Sequence, residues 1–323
     1  MAGQQPLVSI AVPTYNRASL LPHALTSILR QSHASLEVIV CDNASSDGTA
    51  EVVERFARDD PRVRLQRSAS NVGAWKNFEL GLLLARAEYF MWAADDDLWE
   101  PELVTALVNL LETTPDAVLA CAEATYMLAD GTPLDFVSEG AAFRPTPTPR
   151  SLEQRLRALV YGNFDNLVYG LYRRSALLAR DGDRSAGTVF DVYGRKTEVN
   201  EIPLLLQVAE RGDIVVLDRP LWFKRTSPET YRDAAARAAV RTRQPRPRLA
   251  RLPKAIARSR WRFRHDFAYH RTTLRAIRDT IRTLAIPADL RRELTRAFRR
   301  SIYGHLLALE RRHILESAKE AND

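Results

Sequence analysis

The sequence predicts an α/β protein built on a mainly parallel sheet that is flanked by helices. In the first third of the chain, short apolar runs rich in β-branched residues alternate with amphipathic stretches of helical length, which is the pattern of βαβ units. Polar clusters follow directly after several of the apolar runs. Because ligands bind beyond the carboxyl ends of parallel strands, these clusters predict a binding edge.

The predicted elements alternate regularly through the first third. Apolar runs predict strands at 7–12, 36–41, 63–65 and 89–93, and amphipathic spacing predicts helices at 18–31, 49–58 and 74–86. Further along, the same criteria predict helices at 101–113, 151–161 and 201–211, strands at 117–122, 167–172, 214–217 and 221–224, and a loop over 130–150. Two or three helices are expected after residue 264.

Three polar clusters sit at predicted strand ends: Thr14–Arg17, Asp42–Asn43 and Asp95–Asp97. Adjacent carboxylates at the end of an apolar strand are costly unless a cation shares them. Hard oxygen ligands suit Mg²⁺ or Mn²⁺, which can neutralise a diphosphate leaving group. The acidic run therefore predicts a divalent-cation site, with a solvated turn and helix cap as the simpler alternative.

Four segments together resemble family 2 glycosyltransferases with the GT-A fold: Val8–Arg17, Glu37–Thr49, Asn71–Gly73 and Trp92–Trp99. The resemblance is dense from residue 7 to about 103 and loose over about 160–225. It implies an inverting, metal-dependent transfer of a sugar from a UDP- or dTDP-sugar to a hydroxyl acceptor. The acceptor could be a glycan, a lipid-linked intermediate or a secondary metabolite.

The resemblance also implies roles for residues at the strand ends. At the end of the first strand, Pro13, Thr14 and Tyr15 would line the nucleotide pocket, with Tyr15 near the base. Arg17 would lie at the edge of the pocket and face a phosphate. Asp42 would accept a hydrogen bond from the N3–H of uracil or thymine, unless it caps a turn.

Further along, Asn71 and Gly73 would lie near the base and ribose, unless they form a plain turn, with glycine allowing close backbone approach. Lys76 is a weaker candidate for the sugar or diphosphate.

The acidic run departs from the usual Asp-x-Asp pattern, because Ala94 occupies the first Asp position. By the resemblance, Asp96 would ligate the metal and Asp95 would reach the ribose. Asp97 would hold a metal-bound water, unless it caps the following helix.

The general base implied by the resemblance is Glu201, at the start of the predicted helix 201–211. Glu198 is its backup and Asp191 a more distant one. The alternative for Glu201 is a carboxylate that stabilises the helix N-terminus. Arg225 follows the last strand, where relatives keep a basic residue near the diphosphate, although a surface charge would also explain it.

Charge divides the chain into two parts. Residues 1–230 carry 23 basic and 31 acidic side chains, whereas residues 231–323 carry 24 and 9. We therefore expect a catalytic domain over 1–228, with a nucleotide-sugar part to about 100 and an acceptor part over about 101–228, followed by a basic helical region over 229–323.

The stretch 241–264 holds ten Lys or Arg and no acidic residue, which suits peripheral membrane binding. Packing against the catalytic domain or a second copy, as in a homodimer, is the alternative. No nucleic-acid partner is expected, because the first part is acidic.

Two cysteines and the lack of an apolar run of about 20 residues favour a cytoplasmic protein, held peripherally at the inner face of the membrane if 241–264 binds lipid.

Two other functions remain open. A nucleotidyltransferase also uses carboxylates at strand ends, but it would carry a glycine-rich basic loop after the first strand, where this chain reads Pro13–Arg17. An inactive sugar-nucleotide-binding scaffold is supported by Ala94 and by a glutamate, rather than the commoner aspartate, at the base position. No histidine lies between positions 34 and 264, which excludes a histidine-based triad from the catalytic part.

Overall fold

The computed structural model describes residues 5–137, 141–161, 166–178, 201–226 and 274–299. Within them, nine strands form one mixed sheet in the order β3-β2-β1-β4-β8-β6-β9-β5, with β7 paired to β6 off this path. The strands are β1 (Val8–Thr14), β2 (Leu36–Asp42), β3 (Val63–Arg67), β4 (Tyr89–Trp92), β5 (Leu98–Trp99), β6 (Ala117–Met127), β7 (Pro133–Val137), β8 (Leu171–Arg173) and β9 (Asp213–Arg225).

Helices cover both faces of this sheet. They are α1 (Leu21–Leu29), α2 (Thr49–Asp59), α3 (Ala74–Leu84), α4 (Leu103–Glu112), α5 (Leu152–Tyr161) and α6 (Ile202–Arg211), followed by α7 over 274–283 and α8 over 288–299. Residues of α1, α2 and α4 belong to one apolar cluster, and residues of α3, α5, α6, α7 and α8 belong to a second.

The four strands predicted in the first third are all present, and β1 pairs in parallel with both β2 and β4. Strand β2 also pairs in parallel with β3. The side chains of β1, β2 and β4 are almost all buried, as expected for strands covered by helices on both sides. The carboxyl ends of β1 and β2 therefore lie side by side, with Thr14 opposite Asp42.

The second half of the sheet is mixed. Strand β8 lies between β4 and β6 and is antiparallel to both, while β6 and β9 are parallel. Short β5, directly after the acidic run, pairs antiparallel with β9. The α/β class is confirmed, and the parallel arrangement expected for the sheet holds mainly in its first half.

Three sequence predictions for this half were wrong in detail. The predicted strand 167–172 is a 3₁₀ turn over Leu167–Tyr169 followed by β8. The predicted strands 214–217 and 221–224 are one long strand, β9, which bulges at residues 218–219 and pairs with β6 again from Pro220. The predicted loop 130–150 contains β7, which pairs with β6.

Candidate active site

The loops after β1 and β2 are tied together by hydrogen bonds. The backbone N–H of Asn16 donates to Ser45 Oγ at 2.9 Å, and that of Arg17 donates to Thr49 Oγ1 at 2.9 Å. In return, the N–H of Ser46 donates to Asn16 Oδ1 at 2.9 Å. Asn16 adopts the left-handed conformation at φ 54°, which Asn tolerates better than most residues. The two loops thus form one preorganised unit.

Asp42, the last residue of β2, lies beneath these two loops and is completely buried. Its Oδ1 accepts a hydrogen bond from the N–H of Ser45 at 3.0 Å. Its Oδ2 lies 3.2 Å from Nε of Arg67, whose side chain is 51% exposed. The carboxylate predicted to bind a pyrimidine is therefore covered by a guanidinium that has room to move.

Asn43 connects these loops to the turn that precedes α3. Its Nδ2 donates to Asn71 Oδ1 at 2.9 Å, and its Oδ1 accepts from the N–H of Val72 at 2.8 Å. Gly73 has φ 89°, in the region that favours glycine. The sequence placed Asn71 and Gly73 near the ligand but gave Asn43 no role. Its position directly after a strand end was the available signal.

Asp95 and Asp97 flank Asp96 at the end of β4 and occupy different environments. Asp95 lies 3.5 Å from Nε of Arg17. Burial raises its pKa to about 6, while the Thr14 hydroxyl and Arg17 act in the opposite direction. Asp97 is only 3% exposed. Burial raises its pKa to about 7, and the charge of Asp96 adds to this effect.

Arg225 anchors the acidic run. Its N–H donates to Asp97 Oδ1 at 2.8 Å, and its Nε donates to the carbonyl of Asp96 at 2.9 Å. Its Nη1 donates to the carbonyls of Leu128 and Ala129. The residue expected near a diphosphate does lie beside the carboxylates, but its guanidinium holds the protein's own carbonyls.

The carboxylates alone do not complete a metal site. No three Asp, Glu, His or Cys side chains of the described ranges form a group that could hold an ion. However, Asp97 Oδ2 is buried and has no hydrogen-bond partner among the described residues. An unpartnered carboxylate oxygen with a raised pKa fits a cation that takes its remaining ligands from a substrate, as Mg²⁺ commonly does.

Tyr169 and Glu201 belong to the same acidic region. The Tyr169 ring lies 5.7 Å from that of Trp222, centroid to centroid, and Trp222 pairs with Trp99 across β5 and β9. The pKa of Tyr169 is raised by burial and then by the charges of all three aspartates and Glu201. Glu201 is half-buried at the start of α6.

The remaining predicted residues differ in burial. Tyr15 and Lys76 are exposed, Thr14 is buried and Pro13 is half-buried in β1. Glu198, Asp191 and the basic stretch 241–264 lie outside the described residues.

The cysteines and tryptophans behave as core residues. Burial raises the pKa of both Cys41 and Cys121 to about 12, so neither thiol is an activated nucleophile. Trp92 and Trp99 are buried as well.

Comparisons with known proteins point to one family. Residues 9–177 match the family described as Glycosyl transferase family 2. The chain is 31% identical over 137 residues to the putative teichuronic acid biosynthesis glycosyltransferase TuaG of Bacillus subtilis, which is 42% of this chain and 53% of that protein. It is 35% identical over 120 residues to chondroitin synthase of Pasteurella multocida, covering 37% of this chain and 12% of that protein. The matched region thus spans about half of TuaG and far less of the synthase.

Solved structures share the fold at low sequence identity. S. aureus TarS in complex with UDP-GlcNAc superposes with a TM-score of 0.59 at 15% identity, covering 90% of this chain and 71% of that one. The mannosyltransferase PcManGT from Pyrobaculum calidifontis, in complex with GDP-Man and Mn²⁺, gives a TM-score of 0.53 at 17% identity, covering 98% and 80%. Both support the GT-A-like fold.

Proposed function

Because the chain belongs to glycosyl transferase family 2, we propose that it transfers a sugar from a UDP- or dTDP-sugar to a hydroxyl acceptor with inversion. The observation that carries the proposal is the joined loop unit at the carboxyl ends of β1 and β2, which faces the acidic run through the Arg17–Asp95 contact of 3.5 Å. A nucleotide on these loops would have its diphosphate directed at the carboxylates.

Asp42 supports a pyrimidine base. Arg67 is half exposed, so it can turn aside and leave Asp42 Oδ2 to accept a hydrogen bond from N3–H of uracil or thymine. Pro13, Thr14 and Tyr15 line the base side, and Asn71 and Gly73 lie along the ribose. TarS, which shares the fold, binds UDP-GlcNAc. PcManGT binds GDP-Man, so the fold itself does not choose the base.

Asp96 and Asp97 would hold Mg²⁺ or Mn²⁺, and Asp95 would reach the ribose. The buried, unpartnered Oδ2 of Asp97 supports this assignment, as does the Mn²⁺ bound by PcManGT. When bound, the cation would neutralise negative charge on the diphosphate. Arg225 holds the Asp97 carboxylate through its backbone N–H and the backbone carbonyl of Asp96 through its Nε, and Lys76 is exposed and would reach a phosphate.

Glu201 would take the proton of the acceptor hydroxyl as that oxygen attacks the anomeric carbon, and the bond to the diphosphate would break in the same displacement. Its electrostatic influence on Tyr169, shared with the three aspartates, supports a place close to the donor site. A single displacement inverts the anomeric configuration.

We assign the catalytic work to residues 1–228, with nucleotide contacts in about the first 100, and treat 229–323 as a basic helical region. The excess of basic residues over 241–264 supports contact with an anionic membrane at its cytoplasmic face, which would suit a lipid-linked acceptor. A homodimer formed through the same region is the competing arrangement. No helix among the described residues has the length and apolarity to cross a membrane.

Thermal melting with nucleotides tests the donor and cation assignments together. UDP, dTDP, GDP and ADP are each added with and without Mn²⁺. A ligand at 100 times its Kd stabilises the native state by about 2.7 kcal/mol. We expect the melting temperature to rise with UDP or dTDP only when Mn²⁺ is present, and the rise to disappear in Asp96→Ala.

Two outcomes would contradict the proposal. Stabilisation by UDP that is equal without a cation, or retained in full by Asp96→Ala, would remove the metal assignment. No stabilisation by any nucleotide would favour an inactive scaffold. Release of UDP from a UDP-sugar in the presence of acceptor candidates then separates turnover from simple binding.

A further inference from the structure

Helices α7 and α8 form a hairpin that packs on the catalytic part. Ile277, Ile281 and Leu294 are buried in the same apolar cluster as Leu156 of α5 and Leu205 of α6. Arg157 of α5 also forms an ion pair with Glu293 of α8. One face of the hairpin is therefore packed against the catalytic part.

A cavity of about 340 Å³ opens between α7 and α8. Its lining combines three arginines with three apolar residues and one threonine: Arg275, Arg278, Arg299, Leu274, Ile277, Phe298 and Thr295. Arg275, Arg278 and Arg299 are exposed, whereas Ile277 and Phe298 are buried. The cavity is at the small end of ligand-pocket sizes, which begin near 300 Å³, so it suits a small group rather than a whole nucleotide sugar.

Arginines outnumber carboxylates in the two helices that line this cavity. Between residues 274 and 299 the sequence has seven arginines and three acidic residues. Arg278 and Arg282 share one carboxylate, Asp279, each at 3.3 Å, and exposed pairs of this kind contribute little. Arg275 has no carboxylate within ion-pair distance among the described residues. An anion would therefore be attracted to the cavity.

Arginine forks match the geometry of phosphate oxygens, and the half-buried Leu274 in the lining offers an apolar contact for the glycerol part of a lipid. We propose that this cavity binds the phosphate group of an anionic phospholipid and docks the enzyme on a membrane surface. This site is separate from the stretch 241–264 and does not depend on the proposed reaction.

The test is co-sedimentation of the full chain with phosphatidylglycerol-containing vesicles, with phosphatidylcholine vesicles as the neutral reference. The cavity variant is Arg275→Gln with Arg278→Gln. The matched control is Arg282→Gln with Arg292→Gln, on the same two helices but outside the cavity lining. Each variant removes two exposed charges, and each removes one of the two arginines that contact Asp279.

Each basic residue near an anionic surface contributes about 1 kcal/mol, so the cavity variant should bind phosphatidylglycerol vesicles roughly 30-fold more weakly. The control should change several-fold less. Equal losses in both variants would indicate diffuse attraction and overturn the proposal, as would no loss in either. Inorganic phosphate that stabilises the wild type but not the cavity variant, with vesicle binding unchanged, would assign the cavity to a free anion instead.

Discussion

Glu201 can be explained in two ways, and a single substitution separates them. At the start of α6 a carboxylate is stabilised by the helix dipole, which is a structural role. As a general base it must instead accept a proton from the substrate. Glu201→Gln keeps the shape of the side chain but cannot take a proton, so we expect transfer to fall by about 10²- to 10⁴-fold, as measured by UDP release with a competent acceptor.

Glu210→Gln is the matched control, because Glu210 lies on the same helix near its other end. It should leave the transfer rate unchanged. Stabilisation by UDP and Mn²⁺ should be retained in both variants, since neither carboxylate is assigned to nucleotide or metal binding. A Glu201→Gln enzyme with the wild-type rate would show that this carboxylate is only a helix-terminal charge.

For Asn43 we predict an effect on nucleotide binding rather than on the transfer step. Its amide holds the 71–73 turn through two hydrogen bonds, so Asn43→Ala should loosen the ribose side of the pocket. Loss of a buried hydrogen-bonding group costs about 1–3 kcal/mol. We expect lower stability and, in addition, at least a tenfold weaker Kd for UDP by calorimetry.

The comparison variant is Asn77→Ala. Asn77 is also buried, and it donates to the carbonyl of Cys41 at 2.7 Å, which ties α3 to β2. It should lose similar stability with little change in the Kd. If both variants weaken UDP binding equally, the loss reflects general destabilisation and Asn43 has no special role.

At the scale of elements, Glu37 fixes β1 and β2 to the segment before β4. It accepts from Ser9 Oγ at 2.5 Å and from the backbone N–H of Arg86 at 2.7 Å, and the Arg86 guanidinium lies 3.0 Å away. Burial alone would raise the pKa of Glu37, but these hydrogen bonds and the charge of Arg86 outweigh it, and the pKa is lowered.

A lowered native pKa stabilises the fold above the unfolded value of about 4.3, and this stabilisation is lost as pH falls through the native pKa. We therefore expect the free energy of unfolding of the wild type to decrease more steeply below about pH 4.3 than that of Glu37→Gln. Urea unfolding at several pH values measures both slopes. Parallel curves would mean that Glu37 does not contribute to acid unfolding.

The elements that the sequence predicted well are those with a local signal. Strands β1, β2 and β4 are continuous apolar runs that end in polar residues, and they appear close to their expected bounds. Strand β8 could not be bounded correctly, because its three residues are too few to show a period. The sequence predicted two strands because Asp218, Arg219 and Pro220 resemble a turn, yet the first two form a bulge after which β9 pairs with β6 again.

The candidate site, too, was predictable only where the sequence carries a local signal. Its place at the carboxyl ends of the strands was predictable from polar residues next to apolar runs. The contact of Arg225 with Asp97 joins residues 128 positions apart, and that of Arg67 with Asp42 depends on how β3 pairs with β2. Contacts of this kind come from tertiary pairing and leave no pattern in the chain.

At the scale of the whole molecule, charge and packing divide the chain differently. The charge balance changes sign near residue 230, which suggested a separate appendage. Among the described residues, however, α7 and α8 bury Ile281, Leu290 and Leu294 in a cluster shared with α5 and α6. The basic region therefore contributes at least one helical pair to the core that supports α6 and Glu201.

Shortening the chain tests whether the catalytic part is stable without α7 and α8. A buried leucine or isoleucine contributes about 1.5–3 kcal/mol, and whole domains are stable by only about 5–15 kcal/mol. A chain ending at residue 228 exposes the α5 and α6 surfaces that α7 and α8 cover. We expect its melting temperature to fall by roughly 10 °C or more, since each kcal/mol shifts it by about 2–4 °C at this size. A chain ending at residue 299 retains both helices and serves as the control. If the 228-residue chain melts at the temperature of the 299-residue chain, the catalytic part folds independently and the shared cluster contributes little to it.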